Sequence, residues 1–191
     1  MSEEIKAWKR IRSEEIANCR VFTLRRDLCV RDTELDENEE HTFYVLECPS
    51  WCNIIPLTDN NEVVLIEQFR QGIEKVTLEI PGGIVDEDET PENAATRELL
   101  EETGYAAREV VYLGKSHPNP AIQDNFVHHF LALGCEKKQD PQFDSSEHCT
   151  TRLVSLAEID GLIAGEEITH SLVLAGFQRF SIHQSKSSGK L

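Results

Sequence analysis

Gly83-Ile84-Val85-Asp86-Glu87-Asp88-Glu89-Thr90-Pro91-Glu92-Asn93-Ala94-Ala95-Thr96-Arg97-Glu98-Leu99-Leu100-Glu101-Glu102-Thr103-Gly104-Tyr105 is the stretch on which the fold turns. Its first part reads as a turn and its second as a helix. Thr90 is a good N-cap, Pro91 fits the first helical position, and Glu92 suits the first turn. Ala94, Ala95, Leu99 and Leu100 give an apolar side, and Gly104 supplies the stop. On that helix Glu98 stands three residues before Glu101 and four before Glu102, so the three carboxylates share one face. Like charges at that spacing repel, and two or more divalent cations between them remove the cost. Hard oxygen ligands of this kind suit Mg²⁺, with Mn²⁺ as a substitute. Arg97 adjoins the cluster and is placed to hold one acid through a fork-shaped ion pair. The glycine pair Gly82-Gly83 permits a sharp turn that can aim a backbone carbonyl at the same cations.

Outward from the helix, the chain alternates strand-like runs with turns. Upstream, residues 20–35 read as a meander of short strands, and residues 36–40 as an exposed acidic turn. His41 to Glu47 and Trp51 to Leu57 are β-rich and are separated by Pro49-Ser50. Thr58 to Asn61 is a turn, and Glu62 to Phe69 is a strand with a buried centre. Lys75 to Ile80 alternates strictly, which predicts Val76, Leu78 and Ile80 on one face. Downstream, strands are expected at Glu109–Leu113, Phe126–Leu133 and Thr150–Val154. Helices are expected near 156–164 and 170–182, and the small polar tail from Ser185 reads as disordered. Strands, one embedded helix, more strands and late helices make an α+β fold.

The 191 residues (21.7 kDa) are 39% hydrophobic, enough for an ordinary core, and carry a formal net charge of −16. Such a surface repels nucleic acid and anionic lipid. No run approaches the ~18 apolar residues of a membrane span. Met1-Ser2-Glu3-Glu4 has neither the basic start nor the apolar run of a secretory signal, so a cytoplasmic setting is expected. Cys19, Cys29, Cys48, Cys52, Cys135 and Cys149 are irregularly spaced and read as free thiols.

Arg-Glu-Leu-Leu-Glu-Glu alone is an ordinary solvated helix face. The spacing around it is not ordinary. Gly83, Glu89, Arg97, Glu98, Glu101, Glu102 and Gly104 meet every fixed position of the Nudix box, with Leu99 in its aliphatic slot and Tyr105 where an aliphatic residue is commoner. Val64-Leu65-Ile66-Glu67-Gln68-Phe69-Arg70, followed by Leu78-Glu79-Ile80-Pro81-Gly82-Gly83, resembles the ADP-ribose and nucleoside-diphosphate-sugar pyrophosphatase branch of that superfamily. Trp8 to Ile11 and the strands before Trp51 resemble the branch's N-terminal sheet domain, which commonly helps build a dimer. The resemblance covers roughly residues 8–180. It implies a Nudix fold, a mixed β-sheet sandwiched by helices, with an N-terminal antiparallel sheet extension. The expected division is a dimerisation region at 1–50, a hydrolase domain at 51–184 and a tail at 185–191.

The resemblance also implies an activity: metal-dependent hydrolysis of the pyrophosphate bond of a nucleoside diphosphate sugar (ADP-ribose, GDP-mannose or similar), giving a nucleoside monophosphate and a sugar phosphate. Glu98 and Glu102 are the first-choice ligands, followed by Glu101, which is also a catalytic candidate, and by the Gly82 carbonyl. In this branch the base, or an extra ligand, comes from a late loop, where Glu147 stands with His148 as its weaker rival. Arg70 either grips a phosphate or terminal sugar, or snorkels to solvent. Glu79 either bridges to Arg97 or accepts a sugar hydroxyl. Trp51 is a nucleobase platform or a core tryptophan. Pro120, sixteen residues beyond Gly104, sits where ADP-ribose hydrolases usually carry a proline, and Asn119 joins it as a substrate-binding candidate. His128 and His129 adjoin on a strand and point to opposite faces, so they do not share a metal.

Gly114-Lys115-Ser116 is not a P-loop, because Glu109 stands where the motif needs glycine. Asp86 and Asp88 do not make an EF-hand, because Thr90-Pro91 replaces a ligand and the required glycine. Dinucleoside polyphosphates and other nucleotides are the alternative substrates. A non-catalytic ADP-ribose-binding regulator is the alternative of another class, although such proteins generally lose box glutamates. A Ca²⁺-binding or scaffold-type acidic protein has only net charge in its favour.

Overall fold

The computed structural model describes residues 5–31, 39–143, 148–187 and 189. The chain forms two units, residues 1–49 with 119–125, and residues 50–118 with 126–191. Among the described residues no helix is long and apolar enough to cross a membrane, and all six cysteines are free.

In the first unit β1 (Lys9–Asn18), β2 (Thr23–Arg31) and β3 (Glu39–Glu47) form an antiparallel sheet in that order. Of the expected meander over 20–35, residues 20–31 are instead the turn and second strand of a longer hairpin, and 32–35 lie outside the described residues. Asp36 to Asn38 lie outside the described residues, and Glu39 and Glu40 open β3 rather than sitting in a turn. The sheet buries one charge: Asp27 accepts from Ser13 at 2.6 Å and from Arg25 Nε at 3.0 Å. Arg25 also reaches Asp124 at 3.1 Å, and the Leu46 N–H donates to the Ile122 carbonyl at 2.8 Å. These bonds explain why residues 119–125 group with strands far upstream, a join that no local pattern announces.

The second unit is built on a mixed sheet in the order β12 (Cys149–Ser155), β5 (Glu62–Arg70), β4 (Trp51–Leu57), β10 (Val127–Leu133), β9 (Glu109–Ser116). β6 (Lys75–Glu79) pairs with β5, and β7 (Gly82–Ile84) with β4. β4 and β10 run parallel and the remaining pairs are antiparallel. A two-stranded ribbon joins β8 (Tyr105–Ala106) to β11 (Glu136–Lys137). The helices are α1 (Pro91–Thr103), α2 (Ile159–Ala164), entered by a 3-10 turn at Leu156–Glu158, and α3 (Ser171–Ser187).

Alternation along β4 explains the layers. Ile54 packs with Ala94, Ala95 and Leu99 of α1 and with Phe130 and Ala132. Its neighbour Ile55 packs with Val63, Leu65 and Leu131 and with Val173, Phe177 and Phe180 of α3. Helices thus cover both faces of a mixed sheet, as the Nudix resemblance implied. Two expectations need correction. α3 runs through Ser187 instead of ending before Ser185. On β6 Leu78, with Ile80 just beyond it, is buried, but Val76 is 65% exposed and Thr77 and Glu79 are buried as well, because hydrogen bonds draw the polar residues inward.

Candidate active site

α1 begins and ends as its sequence dictates. The Thr90 side chain accepts from the Asn93 N–H, Pro91 opens the helix, and Gly104 closes it at φ 75° with its N–H on the Leu100 carbonyl. A Cβ at Gly104 would run into the Gln139 carbonyl, so the left-handed stop and the close approach both need glycine.

Glu98 and Glu102 lie on the buried side of α1, beside Ala94, Ala95 and Leu99 rather than opposite them. Arg97 holds Glu89 through Nε and Nη2 at 3.1 and 2.9 Å, and through Nη1 reaches Glu98 at 2.8 Å and Glu101 at 3.1 Å. Its Nη2 also donates to the Ile84 carbonyl at 3.2 Å. The bonds to Glu89 raise the arginine's pKa against burial, and Arg97 in turn lowers that of Glu89. Glu98 and Glu102 are buried, and Glu101 is half-exposed. The Gly82 N–H donates to Glu102 Oε2 at 3.0 Å. A Cβ at Gly83 would strike the Glu98 carboxylate, so the glycine turn is a cradle for the two buried acids. Among Glu89, Glu98, Glu101 and Glu102 stands one guanidinium, a net negative ridge of carboxylate oxygens. Carboxylate oxygens are the donor type a hard divalent cation takes, but among the described residues no three acidic, histidine or cysteine side chains converge closely enough to hold one as they stand. Glu98, Glu101 and Glu102 are the side chains that would have to turn toward it, and the glycine turn presents the Gly82 N–H, rather than a carbonyl, to Glu102.

Glu79 does not pair with Arg97. It forms a two-bond fork with Arg70, Nε to Oε1 and Nη2 to Oε2, both at 2.8 Å. Thr77 donates to Oε1 at 2.5 Å, and His170 Nδ1 lies 2.9 Å from Oε2. Burial alone would raise the Glu79 pKa, but the bonds from Arg70, His170 and Thr77 outweigh it and hold it far below the usual carboxylate range. The Arg70 side chain is 43% exposed on this buried base.

Trp51 opens β4 half-buried, opposite Ile84 on one side and Val127 on the other. Asn119 and Pro120 belong to the segment grouped with the first unit, where the Asn119 carbonyl accepts from Ile122 and Gln123. Glu147 lies outside the described residues; His148 sets its ring against Phe143, 5.8 Å between centroids. His128 and His129 do face opposite ways: His128 meets Tyr112, whereas His129 is fully buried between Asn53 and Ser116. Asn53, Thr77 and His170 were missed from the sequence. Only Asn53, a lone amide in an apolar strand, carried a local signal.

The model of the NUDIX domain matches residues 51–175. The chain belongs to the NUDIX domain family. It is a Nudix hydrolase. It is 27% identical over 183 residues to an ADP-ribose pyrophosphatase of Bacillus subtilis (strain 168), covering 95% of this chain and 97% of that one. It is 33% identical over 132 residues to a methanol dehydrogenase activator of Bacillus methanolicus, 69% of each chain. A crystal structure of an ADP compounds hydrolase superposes with a TM-score of 0.81 over 100% of both chains at 19% identity, a likeness of fold.

Proposed function

We propose that this Nudix hydrolase is divalent-metal-dependent, prefers Mg²⁺, and cleaves the pyrophosphate bond of nucleoside diphosphate sugars of the ADP-ribose type. One observation carries the reading: Glu98 and Glu102 are buried behind the Gly82-Gly83 turn, with Arg97 shared among Glu89, Glu98 and Glu101. Four carboxylates gathered this way make chemical sense when cations and a diphosphate complete them. The likeness to the Bacillus subtilis ADP-ribose pyrophosphatase along almost its whole length supports the substrate class.

Bound divalent cations supply charge screening of the diphosphate and a more acidic water. In this reading Glu98, Glu101 and Glu102 hold those cations, and Arg97 fixes the rotamers of Glu98 and Glu101. Arg70 grips a phosphate oxygen or a hydroxyl of the terminal sugar, and Trp51 offers its ring to the base. Glu147 takes a proton from the attacking water as its oxygen bonds to one phosphorus and the bridging P–O bond breaks. The products are a nucleoside monophosphate and a sugar phosphate. We assign the first unit a role in dimer formation, supported by β1, whose Ile11 and Ile16 side chains are exposed.

The test is phosphate release, after coupling with a phosphatase, across ADP-ribose, GDP-mannose and diadenosine polyphosphates with Mg²⁺, Mn²⁺ or chelator. Turnover of ADP-ribose that chelator abolishes supports the reading. Saturable ADP-ribose binding without turnover moves the chain to the regulator class. Preference for diadenosine polyphosphates replaces the substrate class.

A further inference from the structure

Behind the fork that holds Arg70, a second polar chain crosses the sheet to α3. His129 has both ring nitrogens engaged, Nδ1 at 2.8 Å from Asn53 Oδ1 and Nε2 at 2.7 Å from Ser116 Oγ. Asn53 Nδ2 donates to the Leu172 carbonyl, in the first turn of α3, at 3.0 Å. That bond leaves Oδ1 as an acceptor, so the network assigns the His129 proton to Nδ1 and makes Ser116 the donor to Nε2. The order Ser–His–Asn is that of a nucleophilic triad. Burial, with the charges of Arg179 and His128, however lowers His129 to about 4, and so weak a base does not take a serine proton near neutrality.

The other end of the chain carries the meaning. His170 stands two residues before Leu172, and its carbonyl accepts the N–H groups of Val173 and Leu174 at 3.0 and 3.1 Å. It is therefore tied into the turn that Asn53 holds. Its Nδ1 lies 2.9 Å from Glu79 Oε2, out of line for a linear hydrogen bond but in contact with the carboxylate. Thr77 meets Oε1 and His170 meets Oε2, so the carboxylate plane is braced from both ends. A planar fork transmits that orientation: any rotation of the Glu79 carboxylate swings the Arg70 guanidinium with it.

We infer that His170 is a positioning residue for Arg70, bracing the Glu79 carboxylate that presents the guanidinium, while the Asn53–His129–Ser116 chain holds the turn that carries His170. The inference rests on the reading of Arg70 as a substrate-binding residue.

The test is steady-state hydrolysis of ADP-ribose with saturating Mg²⁺ by His170→Ala, Asn53→Ser, Arg70→Ala and both doubles with Arg70→Ala, each checked by thermal melting. The His170 side chain is 37% exposed, so its truncation leaves folding intact. Arg70→Ala is expected to raise KM at least ~10-fold, and His170→Ala roughly 5-fold with kcat within about twofold. Asn53→Ser moves KM the same way. Neither adds to the effect in the Arg70→Ala background, because both act through that arginine. His170→Gln, which returns a donor to Glu79, recovers most of the lost affinity. Additive effects, or an unchanged KM in His170→Ala beside an impaired Arg70→Ala, overturn the inference and leave the reading of Arg70 standing. An unchanged KM in Arg70→Ala overturns that reading first, and the inference with it.

Discussion

Gly83→Ala separates activity from stability. A Cβ built on Gly83 lies 2.5 Å from Cδ and 3.0 Å from Oε2 of Glu98, with Oε1 closer still. Carbon atoms do not sit so close, but the obstacle is the end of a flexible side chain, so the carboxylate moves and the backbone stays. Moving it breaks the 2.8 Å bond from Arg97 Nη1, while Arg97 keeps Glu89, Glu101 and the Ile84 carbonyl. One charge-assisted bond at a partly exposed site contributes about 1.5 kcal/mol. The smaller unfolded-state entropy of alanine offsets about 0.4–1 kcal/mol of that. The net cost is then about 1 kcal/mol, or roughly 2–4 °C in Tm for a chain of this size.

Activity responds on a different scale, because misplacing a reactive group by about 1 Å costs on the order of 100-fold. The expected fall in kcat/KM is therefore at least ~100-fold, about 2.7 kcal/mol of transition-state stabilisation. Gly82→Ala is the contrast. Its Cβ would strike the Cys52 carbonyl and lie 2.9 Å from Asn53 Cα, backbone atoms of the central strand that cannot yield. That variant is expected to lose several kcal/mol of stability. Thermal melts and phosphate release on both variants decide the matter. A Gly83→Ala enzyme within threefold of wild-type turnover refutes the placement of Glu98, and one melting as early as Gly82→Ala refutes the division of costs.

Glu102→Gln is expected to lower kcat on the order of 1,000-fold with little change in Tm, since an amide oxygen still accepts the Gly82 N–H; near-normal turnover contradicts its role as a ligand. Glu147→Gln is expected to lower kcat far more than it raises KM, and kinetics that leave kcat intact move the base elsewhere. Buried His129, held neutral to about 4 against an ordinary value of 6.5, takes its proton earlier in the unfolded chain. Stability is thus full above pH 6.5 and falls by on the order of 3 kcal/mol as pH drops to 4. Urea titrations of His129→Gln should show a flatter slope across that window, and an unchanged slope assigns the loss to other groups.

Helix α1 and the central strand were legible because local chemistry and tertiary structure agree there. Thr90, Pro91 and Gly104 each act within a turn of their own position, and Trp51–Leu57 is buried along most of its length. β6 misled only in part: Leu78 and Ile80 are buried, but so are Thr77 and Glu79 on the other face, because Arg70, nine residues before Glu79, and His170, far beyond it, supply the partners. The grouping of residues 119–125 with β2 and β3 depends on Arg25–Asp124 and Leu46–Ile122, contacts too distant in the chain for any window to detect. The acid cluster was readable from the spacing of Glu98, Glu101 and Glu102. What the spacing did not show is that Gly82 and Gly83 pack directly against two of the three carboxylates.

The net charge of −16 bears on which anions this site admits. At physiological salt, charges interact strongly only within about 8 Å. On the proposed reading, a diphosphate on the α1 ridge would be governed by the few groups beside it, namely the box glutamates, Arg97 and the cations they would hold. A long polyanion must also lie across the acidic surface beyond the ridge. On that reading, one arrangement would favour a small diphosphate over a long polyanion: cations held by a concentrated acidic patch within a surface of the same sign. Raising ionic strength at fixed free Mg²⁺ should weaken the repulsion of long polyanions more than it alters KM for a small diphosphate. Parallel salt dependences for the two would mean that the whole surface, and not the ridge, sets selectivity.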